Sequence, residues 1–256
     1  LLPLVFLAKI AIFFPTRVFF MAITGITVFK TKVLEAVDEG GGVHRLRLDS
    51  HPAFKPGQFF MVGMGEKGFK AMSACSSPLR PHIEFAAKIS SSEYKQKWAR
   101  VKPGDEVEIK GPYGVFILDE STPKVAMLAG GIGVTPFKSY LEYAADKGLQ
   151  TEFTLVYSNK TEQERPFSKL FEQMQTQGKI KLKFVETLTR LPDVCAWKGC
   201  RGRICAELIE KQVPDFRERI FYTCGVPLMV KEMCTKLEQM GIEKQKIKRE
   251  EFTGMA

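Results

Sequence analysis

Apolar and polar positions along this chain change period once, near Pro123. From about residue 24 to 118 the apolar positions come in short bursts separated by turn residues. Ile26, Val28, Val33 and Val37 open the series, and Gly40, Gly41 and Gly42 interrupt it. Val43, Leu46 and Leu48 continue it, the Lys55-Pro56-Gly57 turn follows, and 58–62 and 83–87 supply two more runs. In Lys102-Pro103-Gly104-Asp105 proline presets φ and glycine accepts positive φ. Val107 and Ile109 then alternate as far as Gly111-Pro112-Tyr113-Gly114. Short strands at this spacing predict a barrel or a sandwich.

Beyond Pro123 the pattern is longer. A continuous apolar run of buried-strand type at 125–129 and further strand candidates at 153–157, 180–185, 220–223 and 247–252 alternate with helical patterns at 136–145, 167–177, 204–211 and 228–240. Strands alternating with helices mean crossover units and a mostly parallel sheet. The predicted fold class is therefore two-domain, β followed by α/β. An antiparallel β-barrel domain over 21–121 precedes a doubly wound, parallel-sheet α/β domain over 122–256.

The first twenty residues stand outside this scheme. Leu1 to Phe14 is apolar but for Lys9, and Pro15 and Arg17 follow. Fourteen residues fall short of the roughly 20 that a spanning helix needs. A membrane anchor giving peripheral membrane association, a cleaved presegment and an artefact of gene boundaries are the three alternatives for residues 1–20, with Met21 as a natural start.

Composition narrows the function classes. At 256 residues, 45% hydrophobic and 26% charged, the chain is an ordinary globular protein with room for two modest domains. Six cysteines without dense spacing indicate a reducing compartment, such as the cytoplasm or an organelle stroma or matrix. Cys195, Cys200 and Cys205 recur every five residues, but no fourth ligand stands nearby and no metal site is expected. The net charge of +9 is concentrated partly in Lys95, Lys97, Arg100 and Lys102, and in Lys244, Lys246, Lys248 and Arg249. A solvated basic surface and a landing surface for an acidic partner both account for these runs. Nucleic acid is disfavoured, because no aromatic-interleaved basic motif is present.

Three motifs carry chemistry. Gly130-Gly131-Ile132-Gly133-Val134-Thr135-Pro136 lies between an apolar strand and a helix, where glycines let backbone approach a pyrophosphate and the helix N-terminus favours its charge. Thr223-Cys224-Gly225-Val226-Pro227-Leu228-Met229 lies at the C-terminal end of a later strand, where open α/β sheets place ligands. Lys70-Ala71-Met72-Ser73-Ala74-Cys75-Ser76-Ser77-Pro78 sets a cation, a broad apolar side chain and a hydroxyl close together, expected on one strand face. Such a face suits a phosphate and a flat ring. A tight turn, a buried cysteine and a serine-rich loop are the plainer explanations of the three motifs.

In this order the motifs resemble the ferredoxin–NADP reductase superfamily of flavoproteins, over nearly all of residues 24–252. The resemblance includes Gly111 to Phe116, the stretch from Tyr157 to Phe167, Trp197-Lys198-Gly199 with Gly202-Arg203-Ile204, and the ending Glu250-Glu251-Phe252. It implies a Greek-key barrel that holds FAD, less often FMN, and an α/β domain that takes NADPH or NADH. The family's Arg-x-Tyr-Ser flavin motif falls on Lys70, Met72 and Ser73. Ser73 is retained near flavin N5. Lys70 keeps the charge but loses the guanidinium fork, and Met72 puts a thioether in place of the stacking aromatic. Ser92, with Tyr94 and Lys95, matches the stretch that meets the flavin pyrophosphate. Gly130, Gly131, Gly133, Thr135 and Pro136 match the nucleotide loop. Cys224, Gly225, Pro227 and Met229 match the nicotinamide-side motif, with Val226 replacing a proline, and Phe252 is placed to shield the flavin.

The expected activity is hydride transfer from NAD(P)H to FAD, with Ser73 and Cys224 beside the reacting atoms and electrons passed on to a carrier such as a ferredoxin. Ser158, Lys160 and Arg165 are candidates to meet a 2′-phosphate. Two alternatives stand beside this reading: a flavin-less nucleotide-binding subunit or sensor, and the reductase module of a membrane electron-transfer complex.

Overall fold

The structure, a computed structural model, describes residues 27–192 and 196–253. The apolar segment 1–20, the first strand's Ile26, and Cys195 lie outside the described residues.

The first half forms six antiparallel strands: β1 (Thr27–Asp38), β2 (Val43–Leu48), β3 (Phe59–Gly63), β4 (Phe69–Ser73), β5 (Ile83–Lys88) and β6 (Glu106–Tyr113). Their order is β4-β3-β6-β1-β2-β5. A bridge between Ala74 and Phe85 joins the two outer strands, so the sheet closes on itself. Alternation along each strand sends Val33, Leu46, Phe60, Val62, Phe85 and Ile109 into one core. Helix α1 (Glu93–Ala99) covers this barrel with Tyr94 and Trp98, one turn apart.

In the second half β7 (Lys124–Gly130), β8 (Glu152–Asn159), β9 (Lys181–Leu188), β10 (Cys200–Arg201), β11 (Ile220–Gly225) and β12 (Ile247–Glu251) make a parallel sheet. The order β10-β9-β8-β7-β11-β12 shows the doubly wound topology. Val125 to Ala129 on β7 are fully buried, because helices cover both faces. These helices are α2 (Thr135–Lys147), α3 (Ser168–Gln177), α4 (Ala206–Gln212) and α5 (Pro227–Gln239). The chain leaves β7 toward β8 on one side and later places β11 on the other. The ends of β7 and β11 thus flank the topological switch, the crevice where open α/β sheets bind ligands.

The two halves meet along α2. On one side Tyr222 packs edge to face against Phe116 and Tyr140, which are themselves tilted against each other, with ring centroids 5.4–6.0 Å apart. The Tyr140 hydroxyl donates to the Phe116 carbonyl at 2.8 Å, and that of Tyr222 to the Ile117 carbonyl at 3.2 Å. On the other side α2 meets the loop after β4 through buried charges.

Candidate functional site

Three clefts adjoin at the seam between barrel and parallel sheet. The first, of about 320 Å³, runs from β4 to the C-terminal strand and is lined by Lys70, Met72, Ser73, Ser92, Thr135 and Phe252, and also by Lys88 and Lys95. The second, of about 250 Å³, is bounded by Gly130, Gly131, Ser158 and Lys160. The third, of about 220 Å³, is formed by Ser158, Arg203 and Met229. Lys88 and Ile132 line both the first cleft and the second, so the two share a wall. The strand carrying Ser73 and the loop carrying Gly131 therefore face one continuous space.

Strand register corrects one expectation. Lys70 pairs with Val62 and Met72 with Phe60, whereas Ser73 pairs with Phe59. The period of two puts Lys70 and Met72 on one face and Ser73 on the other, so the three do not share a face. Met72 is buried and belongs to the barrel core while also bordering the first cleft. Tyr94 is likewise a core residue: its hydroxyl donates to the Val62 carbonyl at 2.7 Å, and its ring stacks near Trp98.

The cations of the first cleft are its electrostatic signature. Burial, and after it the neighbouring Lys70 charge, push the Lys95 ammonium down to about 8. Neither lysine has an ion-pair partner among the described residues, so an anion in this cleft would relieve both the repulsion and the burial of charge. At the far end Glu250 is pushed upward by burial and by adjacent Glu251. Three lysines, an apolar thioether, the ring of Phe252 and the Ser73 hydroxyl make a lining that fits a phosphate-bearing aromatic cofactor such as FAD.

The glycine loop divides into two roles. A Cβ on Gly133 would lie 2.4 Å from the Cys224 carbonyl oxygen, so glycine here is required by contact between the loop and the end of β11. Gly131, at φ +50°, has open space beside it and borders the second cleft. Its backbone is the part of the loop free to meet a ligand. The Tyr157 hydroxyl donates to the Gly131 carbonyl at 3.0 Å and steadies the turn. The Thr135 hydroxyl donates to the Ile132 carbonyl at 3.0 Å, and Pro136 begins α2 in a buried position. Among the described residues Asn159 Nδ2 has no hydrogen-bond partner although it is buried, and Asn159 lines the second cleft.

Cys224 ends up deeper than its motif suggests. It is fully buried, burial holds its thiol well above the ordinary range, and it lines none of these clefts. Phe252 packs against the core cluster that contains it, and the Phe252 amide donates to the Gly225 carbonyl at 2.9 Å. Gly225 lies beneath the Met229 sulfur, and Pro227 opens α5 at the surface. Arg165 is engaged elsewhere. Its guanidinium pairs with Glu186 and with Glu172 and stacks over Trp197 at 4.7 Å, apart from the nucleotide clefts. Lys88 is a site residue that the motifs do not single out, whereas Asn159, Arg203 and Glu250 fall within the stretches that carry the resemblance without a role of their own there. Lys88 pairs with Glu164 at 3.0 Å, and nothing in the pattern of its strand marks it.

Residues 127–235 match the family described as the oxidoreductase NAD-binding domain. The structure superposes on the cytochrome P450 reductase GcoB of Amycolatopsis with a TM-score of 0.78 at 21% identity, covering 90% of this chain and 71% of that one. It superposes equally on a ferredoxin NADP+ reductase from Neisseria gonorrhoeae with bound FAD and NADP, TM-score 0.75 at 22% identity, covering 88% and 98%. The chain has the two-domain fold of the ferredoxin–NADP reductase superfamily. Among curated proteins this chain is 27% identical over 219 residues to the glycine betaine monooxygenase reductase subunit of Chromohalobacter salexigens, covering 78% of this chain and 56% of that protein. It spans about half the length of the first curated relatives it matches. Among the described residues no helix is long and apolar enough to cross a membrane.

Proposed function

We propose that this chain is a reductase that binds FAD in the first cleft, takes hydride from NADH or NADPH bound across the second and third, and passes electrons to a protein acceptor. The shared wall of the first two clefts, at Lys88 and Ile132, carries this reading. Strand β4 and the loop through Gly131 border one space at the topological switch, which supports a flavin and a nicotinamide nucleotide meeting there.

FAD supplies the hydride-accepting ring when bound, and the chain supplies binding, orientation and exclusion of water. Lys70 and Lys95 neutralise the flavin pyrophosphate, with Ser92 at the start of α1 beside them. Met72 and Phe252 bracket the ring, and Ser73 presents a hydroxyl to its edge. Gly131 and Asn159 offer backbone and side-chain donors to the nicotinamide nucleotide. Lys160 and Arg203 flank Ser158 and are the cations available to a 2′-phosphate. Cys224 comes to bear on the nicotinamide only once Phe252 leaves its place.

For the acceptor, Lys97, Arg100 and Lys102 form an exposed basic edge beside the first cleft, complementary to an acidic carrier such as a ferredoxin. Lys95 of the same run faces the cleft instead.

The test is the visible spectrum of the purified protein, before and after FAD, with NADH and NADPH then added anaerobically in separate samples. A flavin band that nucleotide bleaches is the expected result, and the faster nucleotide identifies the donor. A colourless protein that binds neither FAD nor FMN would overturn the flavin reading, leaving a nucleotide-binding subunit with Met72 purely in the barrel core.

A further inference from the structure

Helix α2 begins at the nucleotide loop and carries on its buried face Lys138, which lines none of the three clefts. The Lys138 ammonium donates to the Cys75 carbonyl at 2.9 Å and pairs with Glu84 on β5 and with Glu142 one turn along α2, each at 2.8 Å. All three ionised side chains are nearly sealed from solvent. Glu84 also receives Arg45 and Arg47, each at 2.8 Å, with His82 Nε2 at 3.7 Å, and Glu142 receives Arg80 at 3.0 Å. Next along the helix, the Ser139 hydroxyl donates to the Ser76 carbonyl at 2.7 Å. Burial opposes the charge of Glu84, yet Lys138 and Arg45 hold its carboxyl at about 2.

Position gives this cluster its meaning. Cys75 follows Ser73, which ends the flavin strand, and Lys138 lies one turn beyond Thr135, which ends the nucleotide loop. One ammonium thus ties together the two segments whose separation sets the distance between the reacting rings. Adhesion between the halves is already supplied by the aromatic contacts of Phe116, Tyr140 and Tyr222. A buried ion cluster adds little stability compared with an apolar seam but tolerates little change in geometry.

We propose that Lys138 is a positioning residue that sets the gap between the flavin strand and the nucleotide loop, and hence the rate of hydride transfer rather than the affinity for either ligand. The inference rests on the reductase reading above.

The experiment compares FAD-loaded native protein with Lys138→Met and with the double variant Lys138→Met/Glu142→Gln, which avoids leaving one buried carboxylate without its ammonium. Thermal melting confirms folding, rapid mixing with NADH or NADPH gives the reduction rate and the nucleotide Kd, and the long-wavelength nicotinamide–flavin charge-transfer absorbance reports ring overlap. The expected result is a reduction rate lowered by about tenfold or more, Kd within about threefold, and a weakened charge-transfer band. A folded variant with native rate and native band overturns the inference alone, as does a rate loss fully explained by a raised Kd. Failure of both variants to fold replaces positioning with a purely structural role. Native protein that neither nucleotide reduces overturns the reductase reading and this inference with it.

Discussion

Gly133 and Gly131 are two residues apart, and their surroundings assign them opposite sensitivities. Gly133→Ala drives a methyl toward the Cys224 carbonyl, a backbone atom that cannot step aside. It should destabilise the fold by about 1–3 kcal/mol in urea denaturation. Gly131→Ala meets no atom within 4 Å and pays only for its left-handed backbone, about 1 kcal/mol, while weakening nucleotide binding. Equal effects of the two on stability would contradict the division of roles within the loop. At Lys95 the expectation concerns pH. In the free protein its ammonium deprotonates near 8, so the charge offered to a flavin pyrophosphate is complete below that pH. A bound phosphate raises this pKa, and FAD affinity should therefore be flat below pH 8 and fall above it. Lys95→Met should weaken FAD at pH 7 and flatten that fall, as measured by fluorescence titration.

At the scale of elements, the ends of strands decide the chemistry. β12 lies beside β11 with Glu250 opposite Cys224, which brings Phe252 to the mouth of the first cleft. Phe252→Ala should expose the nicotinamide position and tighten binding of the oxidised nucleotide, with flavin content unchanged. Cys224→Ala should slow flavin reduction far more than it weakens nucleotide binding; unchanged reduction kinetics would remove Cys224 from the reaction. Helix α1 shows what periodicity misses. It has seven residues and only two buried side chains, Tyr94 and Trp98, too few for a helical pattern to stand out. The longer α2 and α5 fell close to their predicted limits, because thirteen residues give several turns of apolar spacing.

For the whole molecule the seam is the feature to test. Glu84 titrates at about 2 instead of the ordinary 4.5. Its folded-state pKa is depressed, so its contribution is complete above pH 4.5 and is lost as pH falls from 4.5 toward 2. Thermal melting should therefore stay level on this account down to about pH 4.5 and decline below it. Glu84→Gln should remove that part of the acid dependence and lower stability at pH 7, since it leaves Arg45 and Lys138 short of a buried counter-charge.

The sequence by itself determined the alternation of the longer strands and helices beyond Pro123, the change from antiparallel to parallel sheet, and the loop and strand-end motifs on which the superfamily resemblance rests. These are local properties: apolar period, turn chemistry and motif spacing survive without knowledge of distant neighbours. Only the tertiary structure decided that Ser73 lies across the strand from Lys70 and Met72, that Tyr94 belongs to the core, and that Arg165 is committed to Glu186. It likewise decided that Lys88, Asn159 and Arg203 face the clefts and that Lys138 joins the two halves. The reason is physical. Register, burial and ion pairing depend on which residues meet across tens or hundreds of positions in the chain, and no local pattern encodes those meetings.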